Sequence, residues 1–289
     1  MRLANARLML LALACLCCRA EQSQALRDRA AEGDPQAQTA LGKMYRDGQG
    51  VPQDYAEAAR WFRQAALQGY ADAQNSLGFL YDNGEGVPMD HAEAARWYRQ
   101  AADQGNADAQ FNLGALYDSG QGVPLDHAEA VRWYRKAAAH GDVDAQFNLG
   151  VMYEEGQGVA RDYAEAARWY RQAAGQGSAV SQLSLGSLYA AGHGVRRDLA
   201  EAARWYRQAA GLGLAPAQYE LGLAYAAGLG VPRDYVAAYQ WMDLAAFRAR
   251  GPIREKYAAA RDALAPKMSS QQVAEAQRLA AGWKKNWEH

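Results

Sequence analysis

Apolar residues recur in one fixed pattern along most of this chain. From Asn106 to Gly141, an Ala-x-x-x-Leu-Gly-x-x-Tyr segment precedes a Gly-x-Gly turn, and a Glu-Ala-x-x-Trp-Tyr segment follows it. Both segments space their apolar residues three and four apart, as one face of an α-helix requires. The pattern predicts two amphipathic helices per unit, the first of which buries Ala109, Leu113, Leu116 and Tyr117.

This unit occurs six times without insertion or deletion. The leucines that mark its phase are 36 residues apart, at Leu41, Leu77, Leu113, Leu149, Leu185 and Leu221. A fixed period of about 20–50 residues indicates a solenoid, in which each unit covers its apolar faces with its neighbours. We therefore predict an all-α fold, an α/α superhelical solenoid of helix-turn-helix repeats with a capping helix or helices at each end.

The period also predicts the organisation of the chain. The six repeats occupy residues 34–69, 70–105, 106–141, 142–177, 178–213 and 214–249. Residues 21–33 are polar on most faces, as an N-terminal capping helix should be. The period fails at residues 250–289, which we interpret as C-terminal capping helices. The last of these begins at Ser269, with Gln272 completing a capping box.

Local signals define the helix ends within a repeat. In the third repeat, Asp108 is placed to cap the first helix, and Asp126 with Glu129 forms a capping-box arrangement for the second. Glu129 is also within i,i+3 reach of Arg132. Gly114 costs helix propensity, so its recurrence predicts a close contact that leaves no room for Cβ.

The first twenty residues are typical of an export signal. Arg2 and Arg7 precede an apolar core at residues 8–16, and Cys18-Arg19-Ala20 offers small residues for cleavage before Glu21. We predict an exported protein, periplasmic or secreted. A lipoprotein attached through Cys15 is one alternative, and a buried N-terminal helix is another.

Composition excludes several functions. The chain has 31 basic and 32 acidic residues, and without the three leader arginines the balance becomes 28 to 32, a net charge of −4. Nucleic-acid binding needs a concentrated basic face, which this balance argues against. The three cysteines all lie in the leader, so the rest of the chain has no thiol for a disulfide, a metal or a nucleophile. Beyond the leader no apolar run is long enough to span a membrane.

The combined pattern A-x-x-x-L-G-x-x-Y-x-x-G-x-G-V-x-x-D-x-x-E-A-x-x-W-Y-x-x-A-A-x-x-G resembles the Sel1-like repeat, a relative of the tetratricopeptide repeat. The resemblance covers residues 34–249 and implies a bacterial, non-enzymatic scaffold that binds a protein or peptide in the concave groove. For secreted bacterial members it implies a role in the cell envelope. Some secreted relatives are linked to β-lactam binding or hydrolysis, but those are rich in cysteine. A β-lactam protein, or one that handles peptidoglycan or polysaccharide, is the alternative.

Several residues are of types used in metal binding, catalysis or phosphate binding, but their sequence context does not favour these roles. His91 and His127 fill one slot in neighbouring repeats and could ligate zinc, but other repeats hold tyrosine or leucine there, which favours packing. His193 lies near Ser184 and Ser187 without any implied triad. The Gly-x-Gly turns lack the third glycine and the strand of a phosphate loop. We expect no catalytic residue, metal or cofactor.

Two recurring series have structural interpretations. The tryptophans, which could stack sugars or bases, have the helical phase of a core position. They are Trp61, Trp97, Trp133, Trp169, Trp205 and Trp241. The arginines are matched in number by acidic residues, which predicts a solvated helix face. They are Arg63, Arg99, Arg135, Arg171 and Arg207.

Recognition should use positions that differ between copies. The resemblance implies that residues beside Leu-Gly and after Tyr on the first helices face the groove. The predicted binding residues are Asn75, Phe79, Asp82, Asn83, Phe111, Asn112, Ala115, Asp118, Ser119, Asn148, Val151, Glu154 and Glu155. This polar, acidic set suits backbone hydrogen bonds and basic groups of a partner peptide. Repeats 5 and 6 present smaller, apolar residues instead, at Ser187, Ala190, Ala191, Leu223, Ala226 and Ala227.

Overall fold

Each repeat folds into two helices joined by a glycine-containing turn. The computed structural model describes residues 24–285, with side chains through residue 284, and all regular elements in that range are helical. The helices of the first four repeats and the segment before them are α1 (24–31), α2 (Pro35–Asp47), α3 (Tyr55–Leu67), α4 (Ala71–Asn83), α5 (His91–Asp103), α6 (Ala107–Ser119), α7 (His127–Ala139), α8 (Val143–Glu155) and α9 (Tyr163–Gly175). The rest are α10 (Ala179–Ala191), α11 (Leu199–Gly211), α12 (Ala215–Ala227), α13 (Tyr235–Arg248), α14 (Gly251–Asp262), a 3-10 turn (Ala265–Lys267) and α15 (Ser270–Lys285).

The chain divides after Asp142 into two compact units. In the first unit α2 packs on α3, α4 on α5 and α6 on α7, while α3 contacts α4 and α5 contacts α6. In the second unit the helices from α8 to α13 pack in the same sequential way, and α13 contacts both α14 and α15. Packing between sequence neighbours is the arrangement of a solenoid, so the predicted fold class is confirmed.

Aspartate caps the second helix of the repeats, as predicted. Oδ1 of Asp126 accepts a 3.0 Å hydrogen bond from the backbone N–H of Glu129. The reciprocal half of the capping box is absent, because the N–H of Asp126 donates to the carbonyl of Tyr117 at 3.0 Å. Glu129 instead pairs with Arg132 at 2.7 Å, the predicted i,i+3 ion pair.

The first helix of the third repeat starts earlier than predicted. It begins at Ala107, and its cap is Asn106, whose side chain accepts a 2.9 Å hydrogen bond from the N–H of Ala109. The prediction that Asp108 caps this helix is wrong. Asp108 lies exposed in the first turn, where a carboxylate still interacts favourably with the helix dipole.

The recurring glycine of the first helix contacts an aromatic ring of the second. A Cβ added to Gly114 would lie 2.8 Å from Cδ1 of Tyr134, which is closer than side chains approach one another. Tyr134 is fully buried, so the ring has little room to retreat. The predicted close contact at this glycine is confirmed, and the contact explains why the helix tolerates a residue of poor propensity.

The second glycine of the turn also has a steric role. Gly122 has a φ of 68°, in the left-handed region, and an added Cβ would lie 2.2 Å from the carbonyl carbon of His91 in the preceding repeat. The turn therefore lies directly against the start of the preceding second helix. This contact, rather than phosphate binding, accounts for the recurrence of the glycine.

The tryptophan series is only partly in the core. Trp133 is buried, with its indole N–H donating to Glu129 at 2.9 Å. The other five are partly buried. Trp97 packs against the alanine-rich cluster of the preceding repeat, and Trp205 does the same in the second unit. The series lies at the edge of the contact between repeats, where a large indole is incompletely covered.

A buried glutamine joins consecutive repeats, a feature that the sequence interpretation missed. Nε2 of Gln74 donates to the carbonyl of Ala66 at 3.2 Å, and Gln110 donates to Ala102 in the same way. Both side chains are buried. Each bond gives a second donor to a carbonyl near the end of the preceding second helix, which also accepts the N–H of Gly69 or Gly105 at 3.0 Å. The recurrence of glutamine three residues after the first residue of each first helix was the available signal.

The arginine series connects repeats and is not merely a solvated face, which corrects the prediction. Nη2 of Arg63 donates to the hydroxyl of Tyr81 in the next repeat at 2.5 Å, and Arg99 bonds to Tyr117 in the same way. In the second unit, Arg171 bonds to Tyr189 at 2.9 Å. Each arginine and its tyrosine are 18 residues apart and lie on different helices. The spacing of residues within one helix does not show which residues of two helices meet, so the sequence did not predict this pairing.

The C-terminal helices close the second unit. Ser269 and Gln272 form the complete predicted capping box, with reciprocal bonds of 2.9 and 3.2 Å. Asp243 on α13, largely buried, pairs with Arg261 of α14 at 2.6 Å and with Lys284 of α15 at 2.7 Å. These ion pairs attach both capping helices to the last repeat.

The predicted export signal at residues 1–20 lies outside the described residues, as do residues 286–289. Within residues 24–285, none of the helices has the length and apolar character needed to cross a membrane.

Candidate functional site

First helices of consecutive repeats meet through amide side chains in the first unit. Nδ2 of Asn112 on α6 donates to Oδ1 of Asn75 on α4 at 3.2 Å. Both side chains are partly buried. Each amide makes one bond in this pair and retains further capacity, since an asparagine side chain has two N–H donors and two acceptor lone pairs. Two of the predicted binding residues are therefore together on one surface.

A cavity of 470 Å³ opens between the first and second repeats. It is lined by Arg46, Asp47, Gln53, Tyr55, Asn75, Ser76, Phe79 and Glu85. Phe79 leaves 39% of its surface exposed, and Asn75 joins the cavity to the amide pair. The site thus combines one exposed aromatic ring with a polar surround.

Six of these lining residues were not predicted. Arg46 and Asp47 are the last two residues of α2. Gln53 precedes the capping residue Asp54, and Tyr55 is the first residue of α3. The carboxylate of Asp47 pairs with Arg46 at 2.7 Å, and the Arg46 guanidinium lowers the pKa of that carboxyl. Arg46 occupies the slot that holds Asp82 in the next repeat, so a comparison of the copies could have identified it.

The predicted acidic residues of the first unit are bonded within the fold. Oδ1 of Asp82 lies 2.7 Å from Nδ1 of His91, and its other oxygen accepts a 3.4 Å bond from the hydroxyl of Tyr98. Asp118 and His127 repeat this pairing at 2.8 Å. The histidines were expected at an aromatic or apolar packing position, and Tyr55 and Tyr163 pack against the core at that position. Each histidine ring in addition bonds the carboxylate of the facing first helix.

Burial raises the pKa of two tyrosines that bond to the predicted acidic residues. Burial of Tyr98, followed by the nearby Asp82 carboxylate, raises the pKa of the Tyr98 hydroxyl. In the second unit, burial and then a hydrogen bond to Glu154 raise the pKa of Tyr170. Both phenols therefore act as neutral donors to a carboxylate, with Tyr170 donating to Glu154 at 2.7 Å.

Most of the remaining predicted binding residues of the first unit already pack or hydrogen-bond within the fold. Phe111 packs on Tyr134 with ring centroids 5.7 Å apart. Asn83 and Ser119 bond to carbonyls of their own helices, those of Phe79 and Ala115, each at 2.9 Å. Ala115 itself is partly buried.

In the second unit the predicted residues lie on α8. Val151 packs against the cluster formed with α9 and α10, Asn148 is partly buried and Glu155 is exposed. Phe147, which was not predicted, packs on Tyr170 with centroids 5.8 Å apart, as Phe111 does on Tyr134. Among residues 24–285, no three His, Cys, Asp or Glu side chains are grouped so that they could hold a metal.

The repeat pattern matches a known family model. The Sel1 repeat model matches residues 35–70, 71–106, 107–142, 143–178, 179–214 and 215–246. The chain belongs to the Sel1 repeat family. Sel1 repeat proteins are generally interaction scaffolds for other proteins, and homologues with this fold are generally non-catalytic.

Two solved Sel1 structures are similar over most of this chain. One is c5321, a protective antigen present in uropathogenic Escherichia coli strains, with 38% identity over 90% of this chain and a TM-score of 0.80. This Sel1 chain spans only 56% of the length of that protein. The other is a Sel1 repeat protein from Oxalobacter formigenes, with 34% identity, 81% of this chain and 95% of that chain covered, and a TM-score of 0.68. Among curated proteins, no sequence matches this Sel1 chain.

Proposed function

We propose that this Sel1 chain is a non-enzymatic scaffold of the bacterial cell envelope that binds a peptide segment of a partner protein. The contact surface is the first-helix side of repeats 1 to 3. The observation that supports it most directly is the 470 Å³ cavity in which Phe79 remains exposed beside Asn75. An aromatic ring in a concave, polar-edged site is the usual anchor of an interface.

The amide pair supports recognition of a peptide backbone. Asn75 and Asn112 are linked by one hydrogen bond, which orients both side chains and lowers the entropy lost on binding. Their remaining donors and acceptors match the N–H and C=O groups of an extended or helical segment. Neither role requires a catalytic group.

Charge in the cavity supports a partner with a basic group. Asp82 and Asp118 already bond to histidines, so one carboxylate oxygen of each is occupied within the fold. Glu85 lines the cavity, where its charge contributes to the raised pKa of Arg46, and makes no ion pair within 4 Å among residues 24–285. The partner peptide therefore places an apolar side chain on Phe79 and a lysine or arginine near Glu85.

The envelope location rests on the leader pattern of the sequence. Residues 1–20 have the charge asymmetry and short apolar core of an export signal. Cleavage before Glu21 gives a periplasmic or secreted protein, whereas acylation of Cys15 gives a lipoprotein. The mass of the N-terminal peptide of the protein purified from cells distinguishes these products.

Site-specific photocrosslinking tests the binding surface. Benzoylphenylalanine replaces Phe79 in one variant and Leu67 in the matched control, since Leu67 is 72% exposed at the end of α3 and outside the cavity lining. Both proteins are irradiated in envelope extract of the source cells. We expect a distinct protein adduct from position 79 that is missing from position 67. Identical adducts at both positions, or none at either, would contradict the proposal.

An activity assay tests the non-enzymatic part of the proposal separately. The purified full chain is incubated with the chromogenic β-lactam nitrocefin, and we expect no turnover above the buffer rate. Turnover that scales with protein concentration would instead support the β-lactam alternative.

A further inference from the structure

The turn between the two helices of a repeat changes character along the chain. The residue before each capping aspartate is Gln53, Met89 and Leu125 in repeats 1 to 3, but Arg161, Arg197 and Arg233 in repeats 4 to 6. All three arginines are exposed. The cysteine-free second unit therefore carries a guanidinium at a structurally equivalent point of three successive turns.

A close backbone contact and a hydrogen bond to a carbonyl place the side chain at this turn position. A Cβ added to Gly156 would lie 3.2 Å from the Cβ of Arg161, and a Cβ added to Gly192 would lie 3.0 Å from the Cβ of Arg197. Both arginines are therefore in close contact with the first glycine of their turn. Nε of Arg197 donates to the carbonyl of Ala190, seven residues earlier, at 3.1 Å. Gln53 makes the same bond to the carbonyl of Arg46 at 2.8 Å. At Gln53 and Arg197 the position thus directs a side-chain N–H to this carbonyl, and arginine adds a charge that glutamine does not.

Two of these turns form clefts at equivalent places. A cavity of 810 Å³ is lined by Tyr189, Val195, Arg196, Arg197, Asp198 and Leu199. One repeat later, a cavity of 460 Å³ is lined by Tyr225, Pro232, Arg233, Asp234, Tyr235 and Gln272. Each cleft combines a tyrosine, an apolar residue and at least one exposed arginine.

The turn arginines of these clefts make no ion pair with a carboxylate of residues 24–285, although Asp198 and Asp234 line the same clefts. Asp198 accepts the N–H groups of Ala200 and Glu201 as the helix cap, and Glu201 pairs with Arg204 at 2.6 Å. No carboxylate of residues 24–285 lies within ion-pair distance of Arg161, Arg196 or Arg233.

A second guanidinium bonds to the tyrosine of each cleft. Arg171 donates to the hydroxyl of Tyr189, and Arg207 donates to the hydroxyl of Tyr225, each at 2.9 Å. A guanidinium has five donors, so these bonds leave others for a ligand. Arg171 and Arg207 therefore lie next to the tyrosine of each cleft, although neither arginine is part of the cleft lining.

We infer that the turns of repeats 4 to 6 form a second binding surface for an acidic peptide, with successive carboxylates bound at Arg161, Arg197 and Arg233. This surface is distinct from the Phe79 cavity. Val195 and Leu199 provide apolar contact beside the charge, which fits side chains of a peptide better than a uniformly charged polymer. The three arginines hold the same turn position in consecutive repeats, so a peptide that lies along the turns meets them one after another. Glutamates at every third position of an extended peptide, about 10 Å apart, are the probe for such a row.

Fluorescence anisotropy with synthetic peptides tests this inference. The probe is a fluorescein-labelled peptide of four Glu-Val-Ser triplets, compared with a peptide of the same composition whose glutamates are contiguous. The test variant is the full chain with Arg161→Gln, Arg197→Gln and Arg233→Gln. Glutamine retains the turn because Gln53 makes the native carbonyl bond. The control variant carries Arg168→Gln, Arg204→Gln and Arg278→Gln, which remove the same charge from arginines that are already paired with glutamates.

We expect the triplet peptide to bind the native chain and the control variant alike, and the test variant about tenfold more weakly, with the loss greatest at low ionic strength. No binding to the native chain would overturn the inference, as would equal losses in both variants. If the native chain bound the contiguous peptide as tightly as the triplet peptide, the inference that the arginines form a row of spaced carboxylate sites would be wrong. Inorganic polyphosphate is tested in the same way. If polyphosphate binds through the turn arginines and the peptide does not bind, the surface is a phosphate site and the peptide proposal is overturned.

Discussion

The carboxylate of Asp82 lies 2.7 Å from the imidazole of His91 on the facing helix of the same repeat. The same relationship recurs between Asp118 and His127 at 2.8 Å. Asp82 also accepts a hydrogen bond from the buried Tyr98. These acids therefore hold the two helices of a repeat together, and their loss should be felt first in stability.

Replacement of Asp82 by alanine should destabilise the protein by about 1–3 kcal/mol, because His91 and the buried Tyr98 hydroxyl both lose their partner. Asp103→Ala is the matched control, since Asp103 is exposed at the end of α5, and it should change stability by less than about 0.5 kcal/mol. Urea unfolding followed by circular dichroism measures both. Equal stabilities of the two variants would show that the pairing contributes nothing.

The contact between Gly114 and Tyr134 predicts opposite effects of the same substitution at two glycines. Gly114→Ala places a methyl group 2.8 Å from a buried ring and should cost about 1–3 kcal/mol. Gly175→Ala, at the end of α9 with nothing near the added Cβ, should stabilise by about 0.4–1 kcal/mol. Denaturant midpoints test this pair. A stabilised Gly114→Ala variant would contradict the proposed packing.

Glu220 on α12 predicts a pH effect of defined sign. Burial raises the pKa of this carboxyl above its usual 4.5, and the attraction of Lys256 only partly opposes the shift. The folded state then holds the proton more tightly than the unfolded state, so its stabilising contribution is present at pH below about 4.5 and is lost as the pH rises through the folded-state pKa.

Glu220→Gln removes that titration. The stability difference between the variant and the native chain should grow from pH 4 upward in favour of the variant, and should then level off, with about 1.4 kcal/mol for each unit of pKa shift as the upper limit. Urea midpoints at a series of pH values measure the difference. A difference that shrinks as the pH rises would reverse the assigned sign.

The features that depend on spacing along the chain were predictable. The six leucines at a period of 36 residues indicated the stacked helix pairs, and Asp126 indicated the start of a second helix. The predicted contact at Gly114 was also confirmed, because only a steric requirement explains a recurring glycine inside a helix.

The features that depend on register between helices were not predictable. Arg99 bonds to Tyr117 and His91 to Asp82, and in both pairs the partner lies on another helix. Periodicity shows which face of a helix is apolar but not which polar residues meet across the interface. For the same reason the Phe79 cavity was only partly anticipated, since Arg46 and Tyr55 reach it from the preceding repeat.

The central claim is that Phe79 and the Asn75–Asn112 pair bind the partner. The most direct test is calorimetric titration of the partner captured at position 79 into the native chain, Phe79→Ala, Asn112→Ala and the control Leu67→Ala. Loss of a central aromatic anchor typically costs about 2 kcal/mol or more, so Phe79→Ala should weaken binding by about thirtyfold. Asn112→Ala should weaken it by about tenfold, since it removes one arm of the amide pair. Leu67→Ala should leave the affinity unchanged, and equal affinities of all four proteins would contradict the claim.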